Sequence, residues 1–145
     1  MEVTQFEDKY LSFLAKREFG SVSARAVMYV LSEFIFISNE PLVSTTGIVK
    51  RKDGTICCTF IINDSIQKML DKIHCKALEV EPNCKIPYFN ISDDVIIITT
   101  ISGMATIADE LRDNSFTARP IIKIRDILTG EGLCYLRMEL QGLAK

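Results

Sequence analysis

The clearest pattern in the chain is an alternation of apolar and polar residues from Val43 to Ser65, VSTTGIVKRKDGTICCTFIINDS, broken by a cationic turn, Lys50-Arg51-Lys52-Asp53-Gly54. Period-two alternation on both sides of a turn predicts an antiparallel hairpin. Asp53-Gly54 suits its tip, because glycine takes the positive φ of a tight connection at no steric cost. Leu42, Ser44, Thr46, Ile48 and Lys50 fall on one face of the first strand, and Val43, Thr45, Gly47 and Val49 on the other. Gly47 weakens pairing in mid-strand unless the strand bends there, and a small barrel needs such a bend.

The flanking patterns predict the remaining elements. Phe6, Tyr10, Phe13 and Leu14 recur at helical spacing behind Thr4 and Glu7, which predicts an amphipathic helix over 3–18. Gly20 and Ser21 end it, and a second short helix capped by Ser23 is expected over 23–33. Phe34 to Ile37 is β-like and stops at the turn cluster Ser38-Asn39-Glu40-Pro41. Ile66, Met69, Leu70 and Ile73 predict a helix over 65–76, with a strand continuing Asn63-Asp64 as the alternative, and Pro82 and Pro87 an irregular connection over 77–90. Val95 to Ala105 is a long run of β formers, kinked at Gly103 and expected to be a central strand. From Phe116 to Leu128 the chain alternates again, with Arg119, Ile121, Lys123 and Arg125 on one side and Ala118, Pro120, Ile122 and Ile124 on the other. After the turn Thr129-Gly130-Glu131-Gly132, the spacing of Leu133, Leu136, Leu140 and Leu143 predicts a closing amphipathic helix.

The expected fold class is therefore an all-β core with flanking helices: a five-stranded OB-fold barrel with N-terminal helices and a C-terminal helix. Residues 1–40 form a helical lead-in packed on the barrel, 41–128 the barrel, and 129–145 the C-terminal helix, within one domain. No internal repeat, low-complexity tract or linker divides the chain.

Composition narrows the function. A chain of 145 residues with 48% hydrophobic content can bury a real core. Its net charge of -2 indicates neither a disordered acidic tail nor a strongly basic nucleic-acid binder, so any cationic function is local. The acidic start, Met1 to Asp8, lacks the basic-then-apolar order of a secretory signal, and no apolar run reaches the roughly 20 residues that span a bilayer. A soluble protein with no membrane contact is expected. Five cysteines, Cys57, Cys58, Cys75, Cys84 and Cys134, are an odd number without a CxxC pair, so free thiols in a reducing compartment are expected. His74-Cys75 with Cys84 matches no zinc class, and neither a metal nor a cofactor is expected. One histidine, no nucleophile elbow and no phosphate-cradling glycine loop leave nothing on which to build an enzyme. Asn63-Asp64 and Asp93-Asp94 are simpler as strand-end turn residues.

Four segments carry a family resemblance. Ser44-Thr45-Thr46-Gly47-Ile48-Val49 followed by Phe60-Ile61-Ile62-Asn63-Asp64-Ser65 resembles the first two barrel strands of the middle subunit of replication protein A. It is equally similar to the Stn subunit of the telomeric CST complex, although Asn63 stands where that family has its first Asp. Ile91 to Ile98 with Gly103 resembles the family's fourth strand, and Phe116 to Asp126 its fifth. Departing from the family, these 145 residues contain no tryptophan and show no winged-helix domain of the kind these subunits often carry; such a divergent member is similar to the telomere-capping proteins of the Verrocchio type.

The resemblance implies a nuclear OB-fold subunit at telomeres or replication intermediates on the chromosome. Such a subunit binds single-stranded DNA in its barrel groove and a smaller OB-fold partner through its C-terminal helix. OB folds hold single strands by stacking bases on aromatics in a positive groove. The candidate DNA-binding residues are Lys50, Arg51, Lys52, Arg119, Lys123 and Arg125, with Phe60, Tyr88 and Phe89 as the aromatics. The candidate partner-binding residues are Leu133, Leu136, Arg137, Leu140 and Leu143, whose stripe equally suits packing on the chain's own barrel. The alternative function is a structural protein-interaction subunit with no intrinsic DNA binding, which the acidic balance favours.

Overall fold

Strand pairing takes up the largest share of the described backbone. In the computed structural model, residues 1–50, 52, 54, 56–82, 91–92, 95–98, 100–101, 112–130 and 133–144 are described. The described residues are mostly β-structure with one α-helix, and the strands form open, largely antiparallel sheets. In order these are β1 (Leu11–Phe13), β2 (Arg17–Phe19), β3 (Val22–Tyr29), β4 (Ser32–Ile37), β5 (Leu42–Ser44), β6 (Ile48–Lys50) and β7 (Ile56–Ile61). The helix α1 (Asp64–Val80) follows, then β8 (Ile91–Ser92), β9 (Val95–Ile98), β10 (Thr100–Ile101), β11 (Phe116–Gly130) and β12 (Leu133–Ala144). One sheet runs β1-β3-β4-β11-β12-β10, with β2 added to β3 and β5 to β11; the other runs β6-β7-β9-β8.

The central hairpin forms as its pattern dictates. β6 pairs antiparallel with β7 in the register Ile48↔Cys58, Val49↔Cys57 and Lys50↔Ile56. Leu42, Ser44 and Ile48 are all buried, so one face turns inward across the bend. Gly47 makes that bend with φ +69°, and its N–H donates to the buried Ser44 Oγ at 3.2 Å. The helix also appears where the spacing puts it, but it continues to Val80, into the stretch expected to be irregular. Asn63 caps it by accepting the Ile66 N–H at 3.0 Å, and Ile66, Met69, Leu70, Ile73 and Ala77 face the core. β11 alternates as expected, burying Pro120, Ile122 and Ile124 and turning Arg119, Ile121, Lys123 and Arg125 the other way.

Three expected helices are strands or turns. Residues 3–18 form two single 3-10 turns, Val3–Gln5 and Asp8–Tyr10, followed by β1. A short helix is marginal alone. Here Phe6 buries by stacking on Tyr29 and Phe34, at ring centroid distances of 5.5 and 5.6 Å, while Leu11 and Phe13 pair with β3. The span 23–33 holds β3, a tight turn at Val30-Leu31 and the start of β4. The C-terminal segment is β12, paired with β11 along its length. Leu136 and Leu140 fit a period of two as well as a helix. The shorter period also captures Cys134 and Met138, and all four are buried.

The core joins the two sheets and the helix. It includes Phe34 and Phe36 of β4, Phe60 of β7, Leu70 and Ile73 of α1, Ile122 of β11 and Leu140 of β12. Cys57, Cys58 and Cys75 are free, whereas Cys134 is disulfide-bonded, which corrects the expectation of free thiols throughout; cysteine number alone cannot assign pairing. Cys84, Asp93, Asp94 and Gly103 lie outside the described residues. Among the described residues no helix is long and apolar enough to cross a membrane, and no group of three or more His, Cys, Asp and Glu residues converges.

Candidate nucleic-acid interface

β11 changes partners along its length, and the change places its cations. It pairs with β4 from Ile121 to Ile124 and with β3 from Asp126 to Thr129. Arg125 lies at the switch. Against β12 the register also slips there, from Ile124↔Met138 to Asp126↔Arg137, so Arg125 is an extra, bulged residue. The slip brings Asp126 opposite Arg137. Arg137 donates Nε to Asp126 Oδ1 and Nη2 to Oδ2, each at 2.6 Å, a two-pronged guanidinium–carboxylate pair whose carboxylate is buried.

Beside this pair a cleft of about 330 Å³ opens, lined by Leu14, Ala15, Arg17, Phe19, Ala24, Ala26, Arg125, Asp126 and Arg137. Ala24 and Ala26 alternate on one face of β3, and their short side chains leave the space that larger residues would fill. Arg17 and Phe19 come from β2, joined to β3 through the turn at Gly20-Ser21. Phe19 is 59% exposed, so much of its ring is open to solvent. Arg17 makes no ion pair among the described residues, and Arg125 Nε lies 3.9 Å from Glu139 Oε2 at the rim. Behind the cleft, Lys16 and Arg25 both approach Glu81, at 2.9 and 3.5 Å. Among the described residues, three guanidiniums and one exposed ring thus line a single space with one carboxylate. That arrangement can attract an anion and stack a flat apolar group.

The predicted residues are distributed unevenly around it. Arg125 and Arg137 meet at the cleft, although the sequence reading gave them separate tasks. Lys50 and Lys52 are exposed at the β6–β7 turn, and Arg51 lies outside the described residues. Lys123 Nζ sits 2.9 Å from Glu33 Oε1, and Arg119 donates Nε to the Ser38 carbonyl at 2.9 Å, so both have intramolecular tasks. Phe60 is 1% exposed and packs edge-to-face on Phe116, with centroids 5.7 Å apart; it is a core residue and presents no face to a base. Tyr88 and Phe89 lie outside the described residues. Leu136 and Leu140 are buried in the core and Leu143 packs against it, so they form no exposed partner seam; of Leu133 only its backbone pairing in β12 is described. Arg17 and Phe19 were missed because the stretch before Gly20 looked helical and Arg17-Glu18-Phe19 carries no period-two pattern that would mark a strand.

One buried nucleophile lies elsewhere. Burial pushes the Cys58 thiol up to about 11, against the opposing effect of a hydrogen bond with Ser44. A thiol held protonated in this way is structural rather than reactive. Comparison with protein families, curated proteins and solved structures finds no match for the chain.

Proposed function

We propose that this chain is a single-stranded nucleic-acid-binding subunit built on an OB-type barrel. The observation that carries the reading is the cleft where Arg17, Arg125 and Arg137 surround the exposed ring of Phe19. Guanidiniums supply phosphate contacts and an exposed ring supplies a stacking platform, the two components of sequence-tolerant single-strand binding.

The pairing order supports the barrel. β4, β5 and β6 act as one bent first strand; β6 pairs with β7, β7 with β9, β10 runs parallel to β12, β12 pairs with β11, and β11 returns to β4 and β5. With β9 and β10 read as one continuing strand, that order is the one a small closed barrel would use. The segment resemblance to replication protein A and Stn subunits extends the proposal to a nuclear telomere-capping or replication complex. No partner-binding helix carries forward, because β12 occupies its place.

A labelled single-stranded oligonucleotide, followed by fluorescence anisotropy over a range of salt with duplex as control, tests the reading. The single strand should bind in preference to duplex. Arg17→Glu with Arg125→Glu should weaken binding at least about tenfold and flatten the log–log salt slope by about 0.7 to 1.4, the share of one or two phosphate contacts on a single strand. Affinity and slope unchanged in the double variant would remove the cleft from the function. A protein-interaction role is favoured by one observation, the exposed apolar turn Val30-Leu31, and would be indicated by no oligonucleotide binding at low salt.

A further inference from the structure

We infer that the cleft seats one nucleotide, with its base on Phe19 and its phosphate between Arg17 and Arg125, and is not a length of groove that tracks a strand. The inference deepens the proposed function and rests on its assignment of the cleft to nucleotide chemistry. Size is the first argument. About 330 Å³ is at the low end of the roughly 300–1,000 Å³ typical of small-ligand sites. A tracking groove on one OB fold engages about 4–16 nucleotides.

The number of platforms is the second. Among the described residues Phe19 is the one aromatic that lines the cleft, and one ring stacks one base. The cations are also arranged around a point: Arg17, Arg125 and Arg137 come from three different strands to the same space. A strand-tracking surface would spread them along a row.

The third argument is the carboxylate that the cleft holds. Asp126 orients the ligand. Its carboxylate repels a phosphate, so the phosphate stays with Arg17 and Arg125. The Asp126–Arg137 pair sets an acceptor beside a donor, which suits the edge of a base.

The shared ligand chemistry is a nucleoside monophosphate, met either free or as the phosphorylated end of a strand. Isothermal calorimetry on the full chain would use the four nucleoside 5′-monophosphates and a ladder of oligothymidylates, each with and without a 5′-phosphate. A monophosphate should bind measurably, and added nucleotides should change affinity less than about threefold per step. Phe19→Ser should lower affinity about 5- to 150-fold, the equivalent of one lost stack. Because Phe19 is largely exposed, an unchanged melting temperature would show that the variant still folds. Oligonucleotides that bind only with a 5′-phosphate would identify a strand end as the ligand; monophosphates binding without oligonucleotides would identify free nucleotide and remove the strand-binding function instead. Affinity that climbs with every added nucleotide, with no monophosphate binding, would overturn the inference and leave strand binding standing. Absence of all binding would remove both.

Discussion

The turn between β3 and β4 offers a stability gain that can be worked out from two dihedral angles. Val30 and Leu31 have φ +50° and +59°, so both central residues of this two-residue connection lie in the left-handed region. That is the geometry for which hairpins select Asn-Gly, because its twist matches the strands. A side-chain-bearing residue there costs about 1–2 kcal/mol, and a β-branched one such as valine is a genuine outlier. Changing Val30→Asn and Leu31→Gly should relieve about 3 kcal/mol of backbone strain by that measure. Little packing is lost in exchange, since Leu31 is 88% and Val30 59% exposed; the valine forfeits about 1 kcal/mol of burial. Glycine loosens the unfolded chain and returns about 0.5–1 kcal/mol. The bond from the residue-30 N–H to the Tyr10 carbonyl, 3.0 Å long, uses backbone only and survives. A net gain of about 1 kcal/mol remains, which in a chain of this size raises the melting temperature by about 2–4 °C. Urea unfolding should show a higher midpoint at unchanged slope. A double variant no more stable than the parent would refute the argument, since it would mean that the turn's apolar side chains are worth more than its strain.

Two further perturbations test the packing around the cleft and the core. Gly130→Ala places a methyl group against the backbone of Ser21 and Val22 at a φ unsuited to alanine, and should cost roughly 2–4 kcal/mol in urea unfolding; a stability within experimental error of the parent would show that the hairpins do not press together. Cys58 tests linkage. Its unfolded thiol ionises around pH 9.0 and its folded one near 11, so the native state keeps the proton longer; the associated stability is full below pH 9 and declines as pH rises to 11. Across that window the parent should lose on the order of 2 kcal/mol more than Cys58→Ala, whatever the variant's baseline cost. Parallel pH profiles would refute the assigned cause.

How much of this was legible depended on whether the deciding signal was local. The β6–β7 hairpin carries its turn residues and a bending glycine within its own sequence, and α1 carries both its stripe and its Asn63 cap, so each could be read directly. β11 declared itself through alternation. The β3–β4 hairpin could not, because its turn is built from Val30 and Leu31, neither of which signals a reversal. In β12 the leucines alone suggested a helix. Only the intervening Arg137, Glu139 and Gln141, read against Cys134 and Met138, distinguish the shorter period. The candidate interface was legible in part. Arg125 and Arg137 were singled out, but what brings them together is a slip between two strands, and no periodicity records it. Phe19 was hidden because a short edge strand pairs only with β3, and such a strand has too few residues to establish a pattern.

That slip explains why the cleft lies where it does. A strand with one partner on each side and an unbroken register presents a continuous surface, with each side chain packed beside its neighbours. β11 cannot do so, because it leaves β4 for β3 at the same residue at which it bulges against β12. Arg125 is left out of the backbone register with β12, Asp126 is turned inward, and Arg137 is drawn across to neutralise it. A buried carboxylate requires such compensation, so the arginine is held in place by the fold whether or not a ligand is present. The two alanines of β3 then leave the adjoining space unfilled, and β2 folds over to wall it with Arg17 and Phe19. Each feature has an ordinary structural cause when taken singly. Their convergence has a different weight, because a discontinuity that served only to turn the sheet would be expected to collapse and bury Phe19 rather than leave it 59% exposed beside three guanidiniums. An exposed ring in a cationic recess keeps apolar surface in water, and a flat anionic ligand would cover it.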